Sequence, residues 1–226
     1  MTQMKRKPLI PGCAVFPTAV SFLCNLLVYY ATKPFTTAGS FHSLATKLDE
    51  AIPLCPAFVS VYFLAFVQWG LGYVMAARES RETCCRMAAG DIAAKLLCGV
   101  CFFLYPTTML QPEVTGSGLW AVLLRMTYAV DNPTNIFPSI HCLESWVCCR
   151  TALRMKTASP AYKIGMTIFS LLVFASTVLV KQHVLLDIPA GIAAAELGFL
   201  VSDTLKMDKA LSRWEDRLLA RTSRRR

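Results

Sequence analysis

Six apolar runs alternate with polar connections along the chain. They lie at about residues 9–31, 52–77, 92–110, 137–153, 161–180 and 185–201. A helix needs roughly 20 apolar residues to cross the hydrocarbon core of a bilayer, and no run here is long enough for two crossings. The pattern therefore predicts six membrane-spanning helices, of which the fourth is short and contains Glu144.

The composition is that of a membrane protein. Of the 226 residues, 55% are hydrophobic and only 16% are charged, and the mean hydropathy is +0.47. This is too apolar for a soluble domain of that length. The first run has no small-residue cleavage site before a polar segment, so we interpret it as a span. We expect one all-α integral membrane domain over residues 1–226, a six-transmembrane-helix bundle without a separate soluble domain.

The basic residues predict the orientation of the bundle. Eighteen of the 23 Lys and Arg residues lie in the N-terminal segment, in or beside the connections after the second and fourth runs, and in the C-terminal tail. The alternate connections hold only Lys33, Lys47, Arg125 and Lys181, and Lys95 lies within the third run. Cytoplasmic connections carry the excess of basic residues. We therefore expect both termini in the cytoplasm and the protein in the plasma (cytoplasmic) membrane.

The C-terminal tail, residues 206–226, is basic and amphipathic. Its apolar residues Leu211, Trp214 and Leu218 share a helix face opposite several basic residues. Such a helix lies at the membrane surface and is held there by anionic cytoplasmic lipid. The positive charge of the tail would also attract nucleic acid, but the tail is short and adjoins a span. We therefore expect the bilayer as its partner, and no nucleic acid.

Two segments carry the candidate chemistry. Residues 135–141 and 176–187 contain two of the three histidines of the chain. In the predicted topology the first segment opens the fourth span at its outer end, and the second contains the outer turn between the fifth and sixth spans. Both therefore face the same leaflet, at the depth of lipid headgroups. A substrate that reaches them is expected to be a membrane-borne lipid.

His183 and Asp187 are four residues apart. If the sixth span begins near His183, the two side chains share a helix face, and the carboxylate accepts the proton of one imidazole nitrogen. That contact leaves the other ring nitrogen free. A histidine oriented in this way acts as a nucleophile or as a general base.

The segment around Pro138 has the features of a phosphate site. Proline suits the first turn of a helix, where the amides of residues 139–141 would have no intrahelical partner. Such a helix N-terminus, together with the hydroxyl of Ser139, is a favourable site for a phosphate group. His141 lies beside it and is a candidate donor of a proton to a leaving oxygen.

Other interpretations of these residues stay open. A histidine at a membrane interface is often only a polar anchor, and His42, in the first outer connection, fits that description. Asp187 is also a candidate helix cap, and Ser139 an ordinary first-turn residue. Lys181 and Arg125 are cations that could balance phosphate charge, although Lys181 could also extend its ammonium to the membrane surface without any ligand.

The motif residues resemble a known family. Residues 138–141, Pro-Ser-Ile-His, resemble the P-S-x-H motif of the type-2 phosphatidic acid phosphatase superfamily. Ser176, His183 and Asp187 are similar to its third motif, S-R-x-x-x-x-x-H-x-x-x-D. The resemblance extends to the six-helix plan. It implies that His183 is the nucleophile of a phosphohistidine intermediate, Asp187 its orienting partner, His141 the general acid and Ser139 a phosphate ligand, with no metal cofactor.

The chain also departs from the family pattern. The first motif, K-x-x-x-x-x-x-R-P, aligns at Leu104 and Gln111-Pro112, and Thr177 occupies the arginine position of the third motif. All three usual cationic phosphate ligands are therefore absent. Lys181 and Arg125 are the candidates to replace them.

The resemblance implies a function on lipids. Residues 131–135, including the candidate substrate-binding Asn135, and residues 181–182 are similar to a branch that includes inositol phosphorylceramide synthase and sphingomyelin synthase relatives. We expect a lipid phosphatase that hydrolyses a phosphate or pyrophosphate monoester at the outer leaflet. The alternatives are a headgroup phosphotransferase and a catalytically inactive lipid-binding or transport protein.

Overall fold

The computed structural model describes residues 8–36, 41–131 and 133–223. Within these ranges the chain forms nine α-helices and no strand beyond two isolated backbone bridges. The predicted all-α class is thereby confirmed for the described residues. The helices are α1 Gly12–Thr36, α2 Lys47–Ala51, α3 Val59–Glu79, α4 Arg81–Leu104, α5 Leu119–Val130, α6 Ile140–Arg154, α7 Pro160–Leu179, α8 Asp187–Leu205 and α9 Met207–Ser223.

Five of the described helices, α1, α3, α4, α7 and α8, are long and apolar enough to cross a membrane, as in a multi-pass membrane protein. The remaining predicted span, the fourth, corresponds to α6, which has 15 residues. At 1.5 Å per residue its length is about 22 Å, less than the roughly 30 Å of a hydrocarbon core. It packs against α3, α4, α7 and α8, so it is an inner helix of the bundle. The number of crossings and the side of the termini stay predictions.

The boundaries predicted for the third span were wrong. The run at 92–110 predicted its limits, but α4 begins at Arg81 and ends at Leu104. The hydroxyl of Ser80 accepts a hydrogen bond from the amide of Thr83 and caps the helix. The guanidinium of Arg81 forms ion pairs with two carboxylates of α9. Because the polar first turns have these partners, the helix extends well beyond the apolar run.

The sequence patterns did not predict α5. It has 12 residues, too few to span a bilayer, and lies in what was expected to be a plain connection. Its residues Ala121 and Leu124 pack with Val59, Tyr62 and Val180 in a small apolar cluster. The helix therefore supports the start of α3 and the end of α7, the two segments beside the candidate site.

Glycine allows α8 to approach the start of α6 closely. A Cβ atom on Gly191 would lie 2.8 Å from the carbonyl oxygen of Ser139 and 2.9 Å from the Cβ of Cys142. Real Cβ atoms do not come so near to backbone, so the two helices pack at this distance only because the position is glycine. This contact sets the spacing between α6 and α8, which flank the two candidate histidines.

We predict that Gly191→Ala destabilises the bundle by about 1 to 3 kcal/mol, because the added methyl group overpacks the contact with α6. The measurement is the unfolding free energy or midpoint of purified protein in detergent. Gly165→Ala, in α7, is the matched control because open space surrounds that position. It should be neutral or stabilising, since alanine favours helix. Equal midpoints for the two variants would contradict the close approach.

Candidate active site

One cavity of about 210 Å³ contains both candidate histidines. It lies at the end of the bundle where α6 and α8 begin and α7 ends. Helices α1, α3, α4 and α6 and the connections before α6 and α8 supply its walls. The described lining residues are Asn25, Val28, Tyr29, Tyr62, Phe66, Trp69, Phe102, Asp131, Thr134, Asn135, Ile136, Ile140, His141, Gln182 and His183. The two sequence-distant segments therefore meet at one cavity.

His183 is held by its Nδ1 atom. That atom lies 2.9 Å from the carbonyl oxygen of Ile136 and 3.0 Å from the Oδ2 atom of Asp187. Both partners are acceptors, so Nδ1 carries the hydrogen of the neutral ring and Nε2 carries the lone pair. His183 lines the cavity, and its Nε2 atom makes no hydrogen bond within the described part of the chain. The geometry suits a nucleophile or a base at Nε2.

Asp187 makes this contact as the first residue of α8. The condition set for a shared helix face, a last span that begins near His183, is not met, because His183 lies in the turn between α7 and α8. The turn folds back because the amide of Val184 donates to the Asp187 carboxylate at 3.1 Å and the amide of Asp187 donates to the Val184 carbonyl at 3.0 Å. Asp187 is fully buried at the N-terminus of α8, where the helix dipole stabilises its charge.

His141, the second residue of α6, is clamped by aromatic rings of α3. Its ring stacks on Tyr62, with centroids 3.9 Å apart, and lies 5.8 Å from Phe66 and 5.2 Å from Trp69. These three residues share one face of α3. The Nε2 atom of His141 is buried without a hydrogen-bond partner among the described residues. Its ring faces that of His183 at 6.2 Å, centroid to centroid.

Ser139 caps α6. Its Oγ atom accepts a hydrogen bond from the amide of Cys142 at 3.3 Å, and its side chain is completely buried. It is not among the described residues that line the cavity. In this geometry Ser139 positions the start of α6, next to His141. Its expected role as a phosphate ligand stays a prediction.

The side chains of Lys181 and Arg125 both donate hydrogen bonds to backbone carbonyls of connecting segments. The Nζ atom of Lys181 donates to the carbonyl oxygen of Asp49 at 2.5 Å. Arg125 donates from Nη1 to the carbonyl oxygens of Val114, at 3.0 Å, and Gly116, at 2.8 Å. Neither side chain lines the cavity. Their expected role in balancing phosphate charge stays a prediction.

Asp49 connects α2 to the turn that holds His183. Its Oδ1 atom accepts a hydrogen bond from the amide of Leu185 at 2.6 Å, and its Oδ2 atom accepts from the amide and hydroxyl of Thr46. Burial raises the pKa of the Asp49 carboxyl, but the hydrogen bonds from Thr46 and Leu185 outweigh burial and hold that pKa below its ordinary value. The ionised carboxylate therefore links the connection between α1 and α3 to the turn that contains His183.

Asn135 and Gln182 bring amide groups to the cavity. Asn135, an expected substrate-binding residue, adopts a left-handed backbone conformation with φ of 58° and donates from Nδ2 to the hydroxyl of Thr32 at 3.1 Å. Gln182 was not predicted as a site residue, yet its buried Nε2 atom has no partner in the described structure and the residue lines the cavity. Its position between Lys181 and His183, in the turn before the last span, was the available signal.

The described cavity lining contains no lysine or arginine. Its acidic member is Asp131, whose carboxylate oxygens lie 3.4 Å from the hydroxyl of Tyr29 and 3.5 Å from that of Tyr62. Donors for an anion are therefore the histidines and side-chain amides, together with the first amides of α6. Within the described residues no three His, Cys, Asp or Glu side chains are grouped to hold a metal ion.

Comparison with protein-family models, curated proteins and solved structures finds no match to this chain. The resemblance to the type-2 phosphatidic acid phosphatase superfamily therefore depends on the motif residues alone. Of these, His141, His183 and Asp187 come together, and Ser139 lies beside them as a helix cap.

Proposed function

We propose that the protein is a membrane lipid phosphatase that cleaves a phosphate or pyrophosphate monoester through a phosphohistidine. One observation carries this proposal. The Nδ1 atom of His183 is fixed by Asp187 and by the Ile136 carbonyl, so its Nε2 lone pair is free at a cavity that His141 also lines. This is the arrangement that activates and orients a histidine nucleophile.

In the first step, the Nε2 atom of His183 attacks phosphorus. The new N–P bond forms as the bond between phosphorus and the leaving oxygen breaks, and His141 donates a proton to that oxygen. The phosphorylated imidazole of His183 becomes cationic, and the buried carboxylate of Asp187 stabilises this charge at Nδ1. In the second step, water attacks phosphorus and gives its proton to His141, and the N–P bond breaks. Inorganic phosphate leaves, and both histidines return to their starting forms.

The aromatic clamp prepares His141 for its role as general acid. Stacking on Tyr62 fixes the ring, and the Nε2 atom has no competing partner in the described structure. Burial disfavours the charged imidazolium that donates the proton, and the Tyr62 ring that stacks on it offsets part of that cost, because an aromatic face attracts a cation. His141 is therefore oriented by packing, whereas His183 is oriented by hydrogen bonds.

Neutral donors bind the phosphoryl oxygens in this proposal. Gln182 offers its unpaired Nε2 atom, and the first amides of α6 offer the positive end of a helix dipole. The expected topology puts the site at the outer leaflet, where the lipid enters from the bilayer and its leaving group returns there.

A phosphotransferase is the second candidate. The first step is identical, but an alcohol replaces water in the second. The absence of lysine and arginine from the described lining favours this reading, because a phosphodiester headgroup carries one negative charge and a phosphate monoester carries nearly two at neutral pH. Phosphodiester lipids are its substrates, as in the inositol phosphorylceramide or sphingomyelin synthase type.

We predict that His183→Ala lowers lipid phosphate release by roughly three orders of magnitude or more, because it removes the nucleophile. Asp187→Asn should cost roughly 10²-fold or more, because a neutral amide no longer stabilises the cationic phosphohistidine. The assay uses purified protein with EDTA and phosphatidate, diacylglycerol pyrophosphate or polyprenyl pyrophosphate. The matched control is His42→Ala, since His42 is not a lining residue and stacks on Tyr105 at 4.2 Å.

Turnover that survives His183→Ala would contradict the mechanism. Wild-type turnover of phosphodiester lipids with an alcohol acceptor, without release of phosphate from any monoester, would instead establish the transferase. No reaction with either class would favour a lipid-binding or transport protein.

We also predict that Gln182→Leu lowers kcat/KM about tenfold or more, because it removes a hydrogen bond to a charged oxygen worth roughly 1.5 to 3 kcal/mol. Lys181→Met should change kcat/KM less, since its ammonium binds the Asp49 carbonyl. The measurement is the steady-state kinetics of the Gln182→Leu and Lys181→Met variants. Their unfolding midpoints verify that both variants fold. A larger effect for Lys181→Met would show that Lys181 reaches the phosphate.

A further inference from the structure

A buried cluster of ionisable and hydroxyl groups lies deeper in the bundle. It contains Ser21 from α1, Tyr73 from α3, Asp91 and Lys95 from α4, and Glu144 from α6. Each residue is more than nine-tenths buried. Ionisable side chains inside a membrane bundle are costly and commonly functional. The mechanism proposed above uses none of them.

The cluster lies about one helical turn deeper in the bundle than the active-site cavity, and we call this layer the floor of the cavity. Each of three helices has a cluster residue three or four positions from a residue that lines the cavity. The pairs are Ser21 and Asn25 on α1, Tyr73 and Trp69 on α3, and Glu144 and His141 on α6. At 1.5 Å per residue this is a depth of about 4 to 6 Å. A charge in the cluster therefore lies within one helical turn of a phosphate in the cavity.

Hydrogen bonds in the cluster converge on Asp91. Its Oδ2 atom accepts from the hydroxyl of Tyr73 at 2.6 Å, from the ammonium of Lys95 at 2.9 Å, and from the hydroxyl of Ser21. The ammonium also donates to the Ser21 hydroxyl at 2.7 Å and pairs with the Oε1 atom of Glu144. Lys95 thus lies between the two carboxyl groups.

The charges of this cluster do not balance. Two carboxyl groups share one ammonium, and no other Lys, Arg or His of the described chain forms an ion pair with either of them. An uncompensated charge in a low-dielectric interior is strongly unfavourable. In addition, Asp91 Oδ1 and Glu144 Oε2 are buried oxygens without a hydrogen-bond partner among the described residues. One further positive charge is therefore required, and one of these oxygens is free to take it.

We infer that Glu144 binds a proton, so that the cluster is a proton-binding site in the floor of the cavity. The Oδ2 atom of Asp91 already receives hydrogen bonds from three neighbouring groups. Glu144 receives a hydrogen bond from Lys95 alone, and its Oε2 atom is open to protonation. The protonated cluster contains one carboxylate and one ammonium and is neutral.

Few other groups compete for this proton. The ionisable side chains of α8 pair elsewhere, and those of α7 lie in its first turn. The titratable groups that interact with Glu144 are Tyr73 from α3, Asp91 and Lys95 from α4, Cys24 from α1 and Cys148 from its own helix.

The proton has a consequence for catalysis that rests on the proposed function. When Glu144 is protonated, the floor beneath His141 is neutral and accepts a phosphate anion. When the proton leaves, a negative charge remains about one helical turn below the phosphate and repels it. KM should therefore rise as pH increases through the titration of Glu144, and the neutral substitute Glu144→Gln should abolish that rise.

Infrared spectroscopy of the full chain in lipid nanodiscs tests the site without substrate. At neutral pH the wild type should show the carbonyl stretch of a protonated carboxylic acid, and carboxyl-¹³C glutamate should shift that band. Glu144→Gln should remove it. Asp91→Asn should also remove it, because Glu144 must then ionise to pair with Lys95. The control Glu196→Gln, on α8 and paired with Arg150, should leave the band unchanged.

The inference would be overturned by a band that persists in Glu144→Gln, or by one that does not shift when the glutamate is ¹³C-labelled. A wild type that shows no protonated-carboxyl band at neutral pH would likewise overturn it, in favour of a metal cation as the missing charge. If Glu144→Gln does not fold, the isotope shift of the wild-type band and the loss of the band in Asp91→Asn still test whether Glu144 is protonated. An inactive protein that shows the glutamate band would refute the proposed function and leave the proton site standing.

Discussion

The site depends on the two hydrogen bonds made by the Nδ1 atom of His183. One partner, the Ile136 carbonyl, belongs to the connection before α6, and the other, Asp187, begins α8. A single imidazole nitrogen therefore joins the two motif segments, selects the tautomer and frees Nε2. Packing of α8 against the start of α6 at Gly191 permits this junction, since any side chain there would meet the Ser139 carbonyl.

The cavity combines two oriented histidines with a lining that lacks lysine and arginine among the described residues. Basic side chains that the sequence offered for phosphate instead hold the connections around the site, as Lys181 does with Asp49. In the proposed function, phosphate binding would then depend on amide donors, on the α6 N-terminus and on the charge of the buried cluster beneath the cavity. Control of phosphate binding by the charge of Glu144 is consistent with such a site. Where the described lining has no lysine or arginine, one negative charge nearby has a large effect on a bound anion.

Periodicity and composition were sufficient to predict the all-α membrane class, because long apolar runs have few alternatives in a bilayer. They did not predict the true start of α4, where Arg81 is neutralised by carboxylates more than 130 residues away in sequence. The spacing of His183 and Asp187 predicted their contact, although the path between them is a turn and not a helix. The pairing of Lys95 with Glu144 was not predictable from either run alone, since it exists only after α4 and α6 pack.

The most direct test is to look for phosphate covalently bound to His183 during turnover. Purified protein mixed with a lipid monophosphate or pyrophosphate is quenched in alkali, in which phosphohistidine survives, and the peptide that contains His183 is analysed by mass spectrometry. We predict a phosphoryl group on His183 in the wild type and none on the same peptide of His183→Ala. Turnover without any phosphoryl group on His183, or with one on a different residue, would contradict the proposed chemistry.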